Sequence, residues 1–381
     1  MIVGAEPDML KDKSRSSKIF QIILFAFSVG LLIYFCISDN NLIVLLQSVP
    51  SMNIFWLSGA LICVLLGWVF DSLIIKTLID QAFDTDYGFK HAFKVTMVGQ
   101  YFNSVTPYAV AGQPMQFLAL IRQGITSGIA ISALVRKFLV YQTSITCYSL
   151  AVIIVKYSFF RSKIQDFMAL AFIGFLYQAA IVVILILFTY CPNFTSRLIY
   201  GVVWLLNRFK IVKKPRETEE KVKSQLEFFI ENNRAMQSNR KLMLRVYLVT
   251  FFQLTVMFSV PFFIYKAFRC PGAPIFNMIA AQSFVTMISS YTPLPGAAGA
   301  AEGSFLVIFQ MFFSSRIIKQ AMLLWRLITY YSCIIVGAFF AGFDKKREKL
   351  KSVLHAGKKS GRGEKAEDTA DTGTVPPKME E

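Results

Sequence analysis

Ionisable side chains are scarce in this sequence. Only 17% of its 381 residues are charged, whereas 55% are hydrophobic and 37 are phenylalanine. A soluble domain of this length needs far more charge to cover its surface, so a soluble globular protein is excluded. Histidine occurs only as His91 and His355, which leaves little from which to build a histidine-centred catalytic site. The six cysteines (Cys36, Cys63, Cys147, Cys191, Cys270 and Cys333) are scattered in or beside apolar segments. They show no Cys-x-x-Cys or Cys/His spacing, so neither a metal site nor a disulfide framework is indicated. Small packing residues is the plainer reading. No P-loop is visible, so direct use of ATP is not expected, and no cofactor is assigned.

What the chain has instead is long apolar runs. Windows near 19–38, 52–75, 130–156, 166–191, 244–268 and 318–343 approach the roughly 20 apolar residues that a spanning helix needs. The net charge of +17 does not point to nucleic acid, because Lys and Arg concentrate at 11–18, 207–223, 234–245 and 345–364, beside the apolar runs. That is the positive-inside pattern, with added attraction to anionic headgroups. Residues 19–38 follow four basic residues and lead on without a small-x-small cleavage site, so they read as a retained helix rather than a signal peptide.

Two Gly/Pro-rich breaks interrupt otherwise membrane-grade stretches. One is Ser104-Val105-Thr106-Pro107-Tyr108-Ala109-Val110-Ala111-Gly112-Gln113-Pro114. The other runs Ser290-Tyr291-Thr292-Pro293-Leu294-Pro295-Gly296-Ala297-Ala298-Gly299-Ala300-Ala301-Glu302-Gly303. A lipid-exposed backbone cannot break its helix without stranding N–H and C=O groups in hydrocarbon. Matched interruptions in the two halves of a chain are therefore the best sequence-level pointer to a transport site.

Charge bookkeeping orders these pieces. Placing 1–18 and the basic loop 192–243 in the cytoplasm makes 92–122 begin and end on that side, and makes 275–313 begin and end on the other. Residues Lys156, Arg161, Lys163, Arg316 and Lys319 then fall outside, against the charge rule. The expected fold is an all-α polytopic membrane protein of about six full helices plus two re-entrant segments in an inverted-topology repeat. Its parts are a first membrane half 19–191, the loop 192–243, a second half 244–343 and a disordered cytoplasmic tail 344–381. Within the loop, Leu198, Ile199, Val202, Val203, Leu205, Leu206 and Phe209 form a helical stripe. It reads as an interfacial helix or as an extension of the preceding span.

Charged residues in spanning segments are expensive and default to functional candidates. Here these are Asp71, Arg122, Arg136, Lys137, Glu302 and Arg326. Arg136 and Lys137 point about 100° apart on a helix, so one at most faces a cavity. Glu302 and Arg326 have two readings, as substrate contacts or as each other's partner. Arginine suits phosphate through its planar fork, so cations facing an anionic headgroup are expected. Thr106, Gln113, Thr292 and Ser304 offer side-chain hydrogen bonds. Pro107, Pro114, Pro293 and Pro295 stop helices, and Gly112, Gly296, Gly299 and Gly303 permit unusual backbone or close approach.

The string Gly99 to Pro107, continued by Gly112-Gln113-Pro114, resembles a motif of the lysyl-phosphatidylglycerol synthase transmembrane region. The string Thr292 to Gly303 is similar to the same family's PGGxGxxE signature, with Ala297 in place of the usual second glycine. The resemblance covers roughly residues 15–345, and its matching positions are Asn103, Thr106, Pro107, Gly112, Pro114, Pro293, Gly296, Gly299 and Glu302. In the multiple peptide resistance factor this region is the flippase part, which moves aminoacylated phosphatidylglycerol to the outer leaflet. The resemblance thus implies a lipid translocase in a bacterial plasma membrane with both termini cytoplasmic. Its partners would be membrane lipids, with a separate lipid-modifying synthase and a second copy of the chain both compatible. The alternative is a phosphatidylglycerol lysyltransferase or its membrane subunit. The chain ends about 38 residues after its last apolar run, too few for the soluble aminoacyl-tRNA-dependent domain of the bifunctional enzymes.

Overall fold

The computed structural model describes residues 49–83, 87–161, 167–208, 239–290 and 292–341. The expected first helix 19–38, the helical stretch 217–234 and the tail 344–381 lie outside the described residues. Among the described residues the regular structure is helical throughout. Five helices are long and apolar enough to cross a membrane: Ile54–Gln81, Ser127–Lys156, Phe172–Tyr190, Arg240–Ala267 and Ile318–Ala341. Large apolar side chains such as Phe172, Ile173, Leu176, Val183 and Ile184 are exposed on the third of these. Hydrocarbon is the solvent in which such a face is stable.

In chain order the helices are α1 (Ile54–Phe83), α2 (Phe89–Val105), α3 (Gly112–Arg122), α4 (Ser127–Arg161), α5 (Phe167–Tyr190), α6 (Pro192–Arg208), α7 (Arg240–Ala267), α8 (Ile275–Ser289), α9 (Ala300–Phe309) and α10 (Ile318–Arg326). A π-turn at Leu327–Tyr331 continues α10 towards residue 341. The stripe found in the sequence lies on α6 as far as its end. This helix starts afresh at Pro192 after an interruption at Cys191, where proline's missing N–H costs nothing.

Helices α1 and α7 run antiparallel along their full length. At one end the Asn53 N–H donates to the Ala267 carbonyl at 2.9 Å. At the other the Asn239 amide donates to Gln81 Oε1 at 3.0 Å. Between them Gly59 lies directly under the Phe263 ring and Gly67 under Met257, with no space for a methyl group at either. Small residues permit this close packing where no hydrophobic effect drives helices together. Asn239 also caps α7, its Oδ1 accepting from the Leu242 N–H at 3.0 Å.

Each break joins two short helices, α2 to α3 and α8 to α9. They have 17 and 11 residues, and 15 and 10 residues. At 1.5 Å per residue all four fall short of a ~30 Å hydrocarbon layer. The two breaks share one backbone path. An extended residue (Thr106; Leu294) leads into a proline (Pro107; Pro295). Two residues with positive φ follow: Tyr108 at 52° and Ala109 at 53°, against Gly296 at 61° and Ala297 at 53°. Pro107 thus corresponds to Pro295, and Pro293 lies ahead of the turn. The two turns pack against each other.

Two large apolar clusters hold the helices together. One gathers Trp68, Phe160, Phe284, Phe305, Phe309 and Trp325 among others, and the second gathers Ile75, Leu78, Val95, Phe102, Leu120 and Ile129.

Candidate functional site

Beside the first break, a cavity of about 710 Å³ opens among helices α1, α2, α3, α4, α7, α8 and α10; the second break does not line it. Of the residues singled out in the sequence, Asp71, Asn103, Gln113, Pro114 and Lys137 line it. Asp71 and Lys137 form an ion pair, Nζ to Oδ2 at 2.7 Å, with side chains only 7% and 15% exposed. Gln253 Nε2 approaches the other carboxylate oxygen at 3.4 Å.

The arginines expected in this cavity lie elsewhere. Arg136 is 2% exposed and packs against α7, with Nη1 3.3 Å from Met243 Sδ. The 100° between neighbouring helix positions sends Lys137 inward and Arg136 away. Arg122 occupies the exposed last turn of α3. Arg326 is buried behind Trp325, its guanidinium 5.1 Å from that ring and 5.2 Å from Tyr330. There Arg326 Nε lies 2.6 Å from Glu302 Oε1, and Nη1 donates to the Gly296 carbonyl at 3.0 Å. Glu302 Oε2 accepts from the Gly299 N–H at 2.7 Å. The pair joins α10 to the second turn and caps α9 with a carboxylate, which its N-terminal dipole favours.

The break residues divide similarly. Thr106 Oγ1 donates to the Phe102 carbonyl at 2.7 Å and accepts from the Ala111 N–H at 3.3 Å, so it holds the first turn. Thr292 is half-buried just past α8, its N–H donating to the Ser289 carbonyl at 3.2 Å. Ser304 donates within its own helix to Ala301 at 3.2 Å. Gly296 and Gly299 carry positive φ, and Gly112 sits so close to the Asn103 amide that a Cβ would overlap it. Gly303 departs from expectation. It lies inside α9 with open space around it, so no turn or close approach requires it.

Glutamines are what the sequence reading passed over. Gln100, Gln116, Gln253 and Gln282 line the cavity beside Gln113 and Asn103. Gln253 and Gln282 are 8% and 6% exposed in apolar helices, and such placement of a polar residue was the available signal. Gln116 reaches its position because Gly99 on α2 has no side chain to block it.

Five apolar spans, interrupted half-length helices and a cavity that gathers carboxamides and an ion pair among them define a polytopic α-helical membrane protein. The family model of the lysylphosphatidylglycerol synthase TM region matches residues 20–337. The chain belongs to this family. It is also 25% identical over 291 residues to a UPF0104 membrane protein of Archaeoglobus fulgidus, covering 74% of this chain and 84% of that protein.

Proposed function

We propose that the chain is a lipid translocase that passes a polar headgroup through the cavity while the acyl chains stay in lipid. The observation that carries this reading is the cavity itself: a chamber beside the first helix break, where six carboxamides and a nearly buried ion pair gather among otherwise apolar helices. Polar groups at membrane depth are costly and are kept where a polar substrate passes. An inverted-topology repeat fits the same facts. Antiparallel α1 and α7 lead into α2 and α8 from opposite ends, and the turns that follow share one backbone path. Rocking one half against the other would expose the cavity alternately to each leaflet. The family resemblance names aminoacylated phosphatidylglycerol or a related phospholipid or glycolipid as cargo, and a bacterial plasma membrane as the setting.

The competing reading, suggested by the family's name, is lipid aminoacylation. Deleting the gene in its host and measuring both total lipids and their outer-leaflet exposure separates the two. Translocation predicts unchanged totals with reduced exposure of one lipid. Loss of an aminoacyl-lipid from the total pool would favour synthesis and overturn the proposal.

A further inference from the structure

We infer that the cavity recognises an uncharged, hydroxyl-rich headgroup, a glycosyl or polyol lipid, in preference to a phosphate-only or cationic one. The inference rests on the translocation reading and narrows its cargo.

The formal charges of the lining cancel. Asp71 and Lys137 neutralise each other at 2.7 Å, and none of Arg122, Arg136 and Arg326 lines the chamber. A phosphate headgroup accepts hydrogen bonds and is met best by guanidinium forks, which the lining lacks. An ammonium headgroup needs a carboxylate, and the carboxylate in the lining is already paired. Moving an unmatched charge into such a site is costly.

Carboxamides dominate what remains. Six of them, from Gln100, Asn103, Gln113, Gln116, Gln253 and Gln282, converge on one space. Asn103 Oδ1, Gln253 Oε1 and Gln282 Oε1 are buried without a hydrogen-bond partner among the described residues. Leaving buried acceptors unmet destabilises the protein unless water or a ligand supplies donors. A hydroxyl both donates and accepts, and an amide offers both functions in one plane, so vicinal hydroxyls match this lining group for group. The rings of Tyr108, Phe138, Tyr141 and Trp325 complete the wall and give the C–H faces of a sugar an apolar surface. The chamber is also built around its amides. Gly99 and Gly112 leave the space that the Gln116 and Asn103 side chains occupy, and a Cβ at either would overlap them.

The test uses the purified full chain and three radiolabelled lipids with identical short acyl chains: glucosyl-diacylglycerol, phosphatidylglycerol and lysyl-phosphatidylglycerol. Equilibrium binding is measured in detergent, and transbilayer movement in reconstituted vesicles. The expected result is glucosyl-lipid binding at least about tenfold tighter than either phospholipid, since a site built for hydroxyls discriminates through its unmet polar groups. Gln253→Leu and Gln282→Leu each abolish that preference. Tighter binding of either phospholipid by the wild-type chain, or equal binding of all three, overturns the inference whether or not the variants fold. The movement arm separates the two ideas. Selective glucosyl-lipid binding with no movement of any lipid retains the recognition site and sinks translocation, whereas preferential binding and movement of a phospholipid does the reverse.

Discussion

The Tyr330 hydroxyl donates a 2.9 Å hydrogen bond to the Ser104 carbonyl, 226 positions away in the chain. The same ring lies against Gly296, close enough that a Cβ there would overlap it. One side chain thus ties the end of α2 to the second turn. Tyr330→Phe removes only the hydrogen bond and is expected to cost about 1 kcal/mol. Gly296→Ala combines the overlap with a positive φ of 61° and is expected to cost about 2–4 kcal/mol. Thermal unfolding in detergent should rank the two in that order, and Tyr330→Ala should recover part of the Gly296→Ala loss.

Ala297 holds φ at 53° where the related signature has glycine. An L-residue in the left-handed region costs roughly 1–2 kcal/mol, partly offset by the freer unfolded chain that glycine brings. Ala297→Gly is therefore expected to raise the unfolding midpoint, with a net gain of about 0.5–1 kcal/mol. A lowered midpoint would show that the methyl packs favourably enough to outweigh the backbone.

Glu302 and Arg326 are coupled rather than independent. Replacing Glu302 with Gln leaves a buried guanidinium without its counter-charge, at an expected cost of about 3 kcal/mol. Arg326→Met strands the carboxylate less, because the Gly299 N–H still holds it. A double-mutant cycle should show the combined loss falling at least about 1 kcal/mol short of the sum. Additive losses would mean that the two side chains act separately.

Much of this architecture was legible in the sequence, for definable reasons. The long apolar windows gave the spans, because a bilayer imposes a length that few other environments do. Gly and Pro located the breaks, because few other residues interrupt a helix so sharply. Which prolines correspond was not legible: Pro293 and Pro295 differ only in backbone path, and φ is not written in composition. Nor was the chemistry of the chamber. Charges stood out against the apolar background and drew attention to Arg136 and Arg326, yet a long buried guanidinium serves equally well to join helices. The glutamines carry no charge and look unremarkable one at a time. Only packing shows that Gln253 on α7 and Gln282 on α8 face the same space as Gln116 on α3.

The Asp71–Lys137 pair is the charged element of the chamber. Asp71→Asn leaves Lys137 uncompensated and is expected to slow lipid movement by about tenfold or more, with Lys137→Met alone similar. The double variant Asp71→Asn/Lys137→Met restores neutrality and should move lipid faster than either single change. If it is slower than both, the charges act on the cargo and not only on each other.

The most direct measurement asks whether lipid passes through the chamber at all. In a cysteine-free background, Gln113→Cys places a thiol in the lining and Ile184→Cys places one on an exposed apolar face of α5. Each variant is reconstituted, alkylated with a bulky maleimide, and assayed for transbilayer movement of the short-chain lipids. The account predicts that modification at position 113 reduces movement to the rate of protein-free vesicles, while modification at position 184 leaves it unchanged. Undiminished movement after complete labelling of position 113 would contradict it.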